Sequence, residues 1–133
     1  MQYFIELTVD DKVVVSEYKG FKSVQTAIGG YAEIGGDKAF VSDEFKYHLF
    51  VFANDEGLLL KEQPFLTINA VATFVFDNAM YGNCAILKEN AEGDDSEGFT
   101  EEEATIIADW LKSMVKKNYE KVLYLHIAYD RRK

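Results

Sequence analysis

Residues 2–9, QYFIELTV, alternate between apolar and polar side chains, and this constrains the fold more than any other stretch. Tyr3, Ile5, Leu7 and Val9 fall on one side of an extended chain, and Gln2, Glu6 and Thr8 lie among the other. A period of two is the mark of a half-buried strand. Asp10-Asp11 breaks the run and KVVVSEY resumes it, so two β-type runs around a short acidic turn predict a hairpin. The turn lacks the favoured glycine, which leaves its type open.

Further runs extend a mostly antiparallel α+β reading. Phe21, Val24, Ala27 and Ile28 recur at helical spacing, and Gly29-Gly30 ends a short helix near 21–29. Tyr31–Ile34 is expected as a short strand closed by Gly35-Gly36. Residues 47–53, YHLFVFA, form an apolar β-type run, and Asn54–Gly57 is a turn from which Leu58–Leu60 would pair back. Residues 67–76 fit both periods: Ile68, Val71, Ala72 and Val75 suit a helix, whereas Phe74 and Phe76 continue an alternation. Residues 80–87, MYGNCAIL, are expected as a strand.

Residues 89–103 hold eight acidic side chains, no basic one and two glycines. The first part reads as a mobile, solvated loop. In the second, Thr100 and Glu103 form a T-x-x-E capping box that starts a long amphipathic helix near 100–118. Acidic residues in its first turn suit the helix dipole, as do Lys112, Lys116 and Lys117 toward its end. Ala104, Ile107, Trp110, Leu111, Met114 and Val115 make its apolar stripe. Residues 121–129, KVLYLHIAY, are expected as a last strand.

The 133 residues correspond to one ordinary domain, spanning 1–133, long enough to bury a core without crosslinks. A single cysteine, Cys84, permits no intrachain disulfide. The N-terminus lacks the basic and long apolar regions of a signal peptide, and no run reaches the length of a membrane span. A soluble, cytoplasmic protein is therefore expected. The net charge of −9 argues against direct nucleic-acid binding, which needs a basic surface. Residues 1–111 carry 7 basic and 21 acidic side chains, and residues 112–133 carry 7 and 2. The body is acidic and the C-terminal end is basic.

The order of short motifs in the middle of the chain points to a family. SVQTAIGGYAEI at 23–34, LFVFANDEG at 49–57, TINAVATFVF at 67–76 and MYGNCAIL at 80–87 follow one another. Over roughly residues 20–88 the chain resembles a family of small uncharacterised domains of unknown function found in phages, prophages and conjugative elements. Two departures stand out. The family's Pro-Asn pair near Thr67–Asn69 is absent, with Pro64 five residues before Asn69, and the acidic segment, long helix and last run extend beyond the shared part. The resemblance implies a mobile-element setting and no catalytic residues or cofactor.

Motifs for chemistry are weak. Gly30–Gly35 has phosphate-loop spacing, but Gly36 and Asp37 stand where the lysine and hydroxyl belong, so the glycines read as strand punctuation. His48 and His126 sit in apolar runs with no spaced ligand cluster, and Cys84 reads as a small buried hydrophobe. No nucleophile, base and orienter assemble by spacing, so no enzyme and no metal or other cofactor is expected. The binding candidates are Tyr31, Asn69, Tyr81 and Asn83, which combine flat rings with amides, and Glu101, Glu102 and Glu103, which concentrate charge.

Three function classes follow. The first is a non-enzymatic accessory protein that binds and modulates a host protein with a basic surface, for instance as an anti-defence inhibitor. The second is a binder of a small nucleotide-like ligand, for which Lys116, Lys117, Arg131 and Arg132 would supply charge. The third is a structural homo-oligomer.

Overall fold

A computed structural model of the chain describes residues 1–55 and 67–129. The N-terminal hairpin forms as the alternation predicts. Gln2–Leu7 (β1) pairs antiparallel with Val13–Tyr18 (β2), Ile5 opposite Val15. The turn closes by Thr8 N–H to the Lys12 carbonyl, and Asp11 takes the left-handed φ of 65°. Asp adopts the left-handed region more readily than most residues, so no glycine is needed.

Phe21–Ile28 (α1) ends at Gly29, whose φ of 81° lets its N–H reach the Gln25 carbonyl. Ala32–Val41 (β3) and Lys46–Asn54 (β4) form a second antiparallel hairpin. After the undescribed stretch come Ala70–Phe76 (α2), Cys84–Glu89 (β5), Ser96–Glu97 (β6), Glu101–Lys117 (α3) and Tyr119–Ala128 (α4). The strand order is β2-β1-β5-β4-β3, with β6 beside β5 and every pair antiparallel. The fold is α+β. Among the described residues no helix is long and apolar enough to cross a membrane.

The pleat sorts side chains onto two faces. Ile5, Leu7, Leu49, Val51, Cys84 and Ile86 meet α2, α3 and α4 in the main core. Phe4, Phe52, Ala85 and Leu87 point the other way and meet Val24 and Ile28 of α1. One short helix cannot cover a five-strand face, and this leaves room for a groove beside it.

Four expectations are corrected. The strand expected at 121–129 is instead helix α4 as far as Ala128, with Tyr129 as its cap. Val122, Leu125 and His126 fall on one helical face, with Val122 fully buried, but the run is apolar nearly all round and its period is therefore ambiguous. The strand expected at Tyr31–Ile34 begins at Ala32 and does not stop at Gly35-Gly36; β3 runs through them to Val41 with a bulge. A Cβ at Gly35 would lie 2.6 Å from the Met80 sulfur, and one at Gly36 would lie 3.1 Å from Cβ of Phe76. These glycines admit α2 and its following loop to the sheet. The strand expected at 80–87 starts only at Cys84, although Tyr81 bridges Ile68. Finally, the loop expected in the first part of 89–103 is confined to 90–95, because Glu89 belongs to β5 and Ser96–Glu97 forms β6. The ambiguous 67–76 resolves as helix α2 from Ala70. Leu58–Leu60, Arg131 and Arg132 lie outside the described residues.

Candidate functional site

Asn69 caps α2 from inside the protein. Its Oδ1 accepts from Ala72 N–H at 3.0 Å, and its Nδ2 donates to the carbonyls of Leu7 at 2.8 Å and Gly82 at 2.9 Å. Asn83 Oδ1 accepts from Val9 N–H at 3.1 Å. Tyr81 is buried beside them. The structure thus brings Asn69, Tyr81 and Asn83 together, as a knot tying α2 and β5 to the end of β1. Tyr31 stands apart, 77% exposed at the entry to β3.

The three glutamates also divide. Glu101 and Glu102 face solvent, whereas Glu103 is 4% exposed. The Thr100 hydroxyl accepts from Glu103 N–H, and Glu103 Oε1 accepts from Thr100 N–H, which completes the predicted capping box. The same carboxylate accepts from Lys88 and from the Tyr47 hydroxyl. Glu103 therefore faces the core and is unavailable to a partner.

The remaining chemistry-bearing groups are locally engaged. His48 Nε2 lies 3.0 Å from Asp37, and His126 Nε2 lies 2.8 Å from Asp11, so each histidine has its own carboxylate. Cys84 is fully buried; burial pushes its thiol up to about 12, against a smaller opposing effect of the Asn69 hydrogen bond. Such a thiol stays protonated and is a poor nucleophile. Among the described residues no group of three or more His, Cys, Asp or Glu is placed to hold a metal ion.

The concave surface beside α1 is of another kind. It is an open groove of about 470 Å³. Tyr18, Phe21, Ile34, Phe50 and Phe52 form its apolar floor and walls, and Phe21 meets Phe52 edge-on at 5.2 Å. Glu89, Asp94 and Asp95 stand along one side with Gly93 and Ser96. Among the described residues no Lys or Arg lines it.

The acidic side is built rather than loose. Asn90 Nδ2 donates to Asp94 Oδ1 at 2.8 Å, and Asn90 Oδ1 accepts from Asp94 N–H at 3.1 Å. Asn90 N–H reaches the Asp95 carbonyl, and Asp95 Oδ1 accepts from Ser96 N–H. Gly93 supplies the left-handed φ of 75° that closes the turn. These bonds hold carboxylates at the rim of an aromatic floor. The phenol of Tyr18 is raised from its ordinary value by burial and, secondarily, by Asp95.

None of the sequence-derived candidates lines this groove. Its acidic half lies within the 89–103 segment that the sequence marks, but on the portion read as solvated loop. Its apolar half comes from β2, α1, β3 and β4, and no local pattern joins residues so far apart. In comparisons with protein-family models, with curated proteins and with solved structures, nothing matches this chain.

Proposed function

We propose that this chain is a non-enzymatic binding protein whose groove receives a basic, partly apolar segment of a protein partner. One observation carries the reading: an aromatic floor flanked by the carboxylates of Glu89, Asp94 and Asp95, with no cation among the described lining residues. An arginine or lysine suits such a surface. Its methylene stem lies on apolar rings while its charged head reaches carboxylates, and a guanidinium also stacks on aromatic faces. The acidic body would steer a basic partner toward encounter, faster at low ionic strength. The resemblance to mobile-element domains makes a host factor the partner class, which the chain would modulate by occupying its basic surface.

The nucleotide-ligand alternative draws no support from the groove, because a phosphate there would meet three carboxylates. The exposed Lys116 and Lys117 belong to another part of the fold.

The test is titration of the labelled protein with peptides carrying Arg or Lys beside Phe or Leu, with acidic and all-alanine peptides as controls, followed by amide chemical shifts. Binding that moves Phe50, Gly93 and Ser96, and that weakens about tenfold or more in Asp94→Asn/Asp95→Asn or at high salt, is the expected result. Perturbation elsewhere, or affinity indifferent to salt and to these substitutions, overturns the reading.

A further inference from the structure

The outward face of α4 is apolar where a surface helix is ordinarily polar. Tyr119 is 59% exposed, Leu123 45%, Tyr124 66% and Ile127 56%. The adjoining flank is already committed: Val122 enters the main core, and His126 is held by Asp11 of the hairpin turn. The exposed stripe is therefore left over after docking.

We propose that this stripe is the interface of a two-fold dimer, and that its occupant is a second copy of the same chain. The spacing supports this occupant. Tyr119, Leu123 and Ile127 stand four residues apart, so they share a face, with Leu123 at the centre. Antiparallel pairing about an axis at Leu123 sets Tyr119 against the partner's Ile127, sets Ile127 against the partner's Tyr119, and sets Leu123 against itself. A surface that matches its own rotated image in this way is what an isologous interface requires.

The exposed area is on the scale such a contact needs. The four side chains expose roughly 400 Å² per copy on the ~150–250 Å² scale of an aromatic side chain. Pairing them removes about 800 Å² from water, and flanking residues bring the total toward the ~1,200 Å² at which specific interfaces begin. Residues 112–129 carry four lysines and one glutamate in a chain of net charge −9. Two copies meeting at α4 bring segments of like, positive sign together, so the apolar stripe and not charge must hold the contact. The groove beside α1 lies on the opposite face of the sheet, so dimerisation leaves it open.

The experiment is sedimentation equilibrium from micromolar to millimolar concentration, paired with oxidation of Leu123→Cys. Cys84 is buried and does not interfere. A concentration-dependent dimer is expected, abolished by Leu123→Asp, which places two like charges on the axis. Leu123→Cys should crosslink as a dimer in high yield, and the exposed α1 control Thr26→Cys should not. Circular dichroism of each variant establishes that it is folded. A monomer throughout the range, a dimer unaffected by Leu123→Asp, equal crosslinking at both cysteines, or assembly beyond the dimer overturns the proposal.

Discussion

Lys88 Nζ lies 3.0 Å and 2.9 Å from the two carboxylate oxygens of Glu103, with both side chains largely buried between β5 and the first turn of α3. The lysine also sits 4.5 Å from the centre of the Tyr47 ring. A buried pair of this kind adds little over an apolar pair, but loss of one partner leaves a charge stranded. Lys88→Met should therefore cost about 3 kcal/mol in urea denaturation. Glu103→Gln should cost somewhat less, since glutamine at this position still serves the capping box. The double variant should be more stable than Lys88→Met alone, with a coupling above ~1 kcal/mol. Simple additivity of the two losses would show that the ion pair is not the cause.

Half of this pair is legible in the sequence. Thr100 and Glu103 are three residues apart, and a capping box is a local device, so spacing alone finds it. Lys88 comes from the neighbouring strand, and nothing local links it to Glu103. The same division runs through the fold. β1, β2, α1 and α3 are set by periodicity and by breakers close in sequence. α4 and the course of β3 through Gly35-Gly36 are set by packing: Val122 entering the core, and Met80 and Phe76 needing room at the glycines. The groove is the least legible, because its apolar residues come from four elements and meet only once the sheet and α1 are assembled.

Asn69 is a structural residue by its bonds, and its replacement should read out as stability. Asn69→Ala removes a helix cap and leaves the Leu7 and Gly82 carbonyls without these donors. Cap loss costs ~1 kcal/mol and each stranded buried carbonyl adds ~1 or more, so about 3 kcal/mol is expected. Asn69→Asp keeps the cap acceptor but turns a carboxylate toward two carbonyls. At pH 7 it should be no more stable than Asn69→Ala, and it should recover as the pH is lowered and the carboxyl becomes a donor. Thermal denaturation at pH 7 and pH 4 checks both.

The buried, protonated thiol of Cys84 should be silent to disulfide reagents in the folded protein. At pH 8 its reaction with an aromatic disulfide should run at least ~10³-fold slower than that of the urea-unfolded chain, because the thiol must wait for the core to open. Stopped-flow absorbance of the released thiolate measures this. Rapid native labelling would place Cys84 at an accessible opening and count against its reading as a buried hydrophobe.

Glu6 gives the stability its own pH dependence. It lies on β1 opposite Val14 and Ala85, and burial raises its carboxyl above the ordinary carboxylate value. A raised acid favours the folded state while it is protonated. That contribution is complete below the unfolded carboxyl value, near ~4.3, and is lost as the pH rises through the folded one. Above that window the folded chain carries a partly desolvated charge that the unfolded chain hydrates freely. Glu6→Gln removes that charge, so it should raise the melting temperature at pH 7 by about 1–2 °C and make no difference near pH 3. The exposed Glu33→Gln serves as the control for simple relief of net negative charge. If both substitutions raise the melting temperature equally, the general field of a chain at −9 is responsible; a larger gain at Glu6 assigns it to burial beneath the sheet surface.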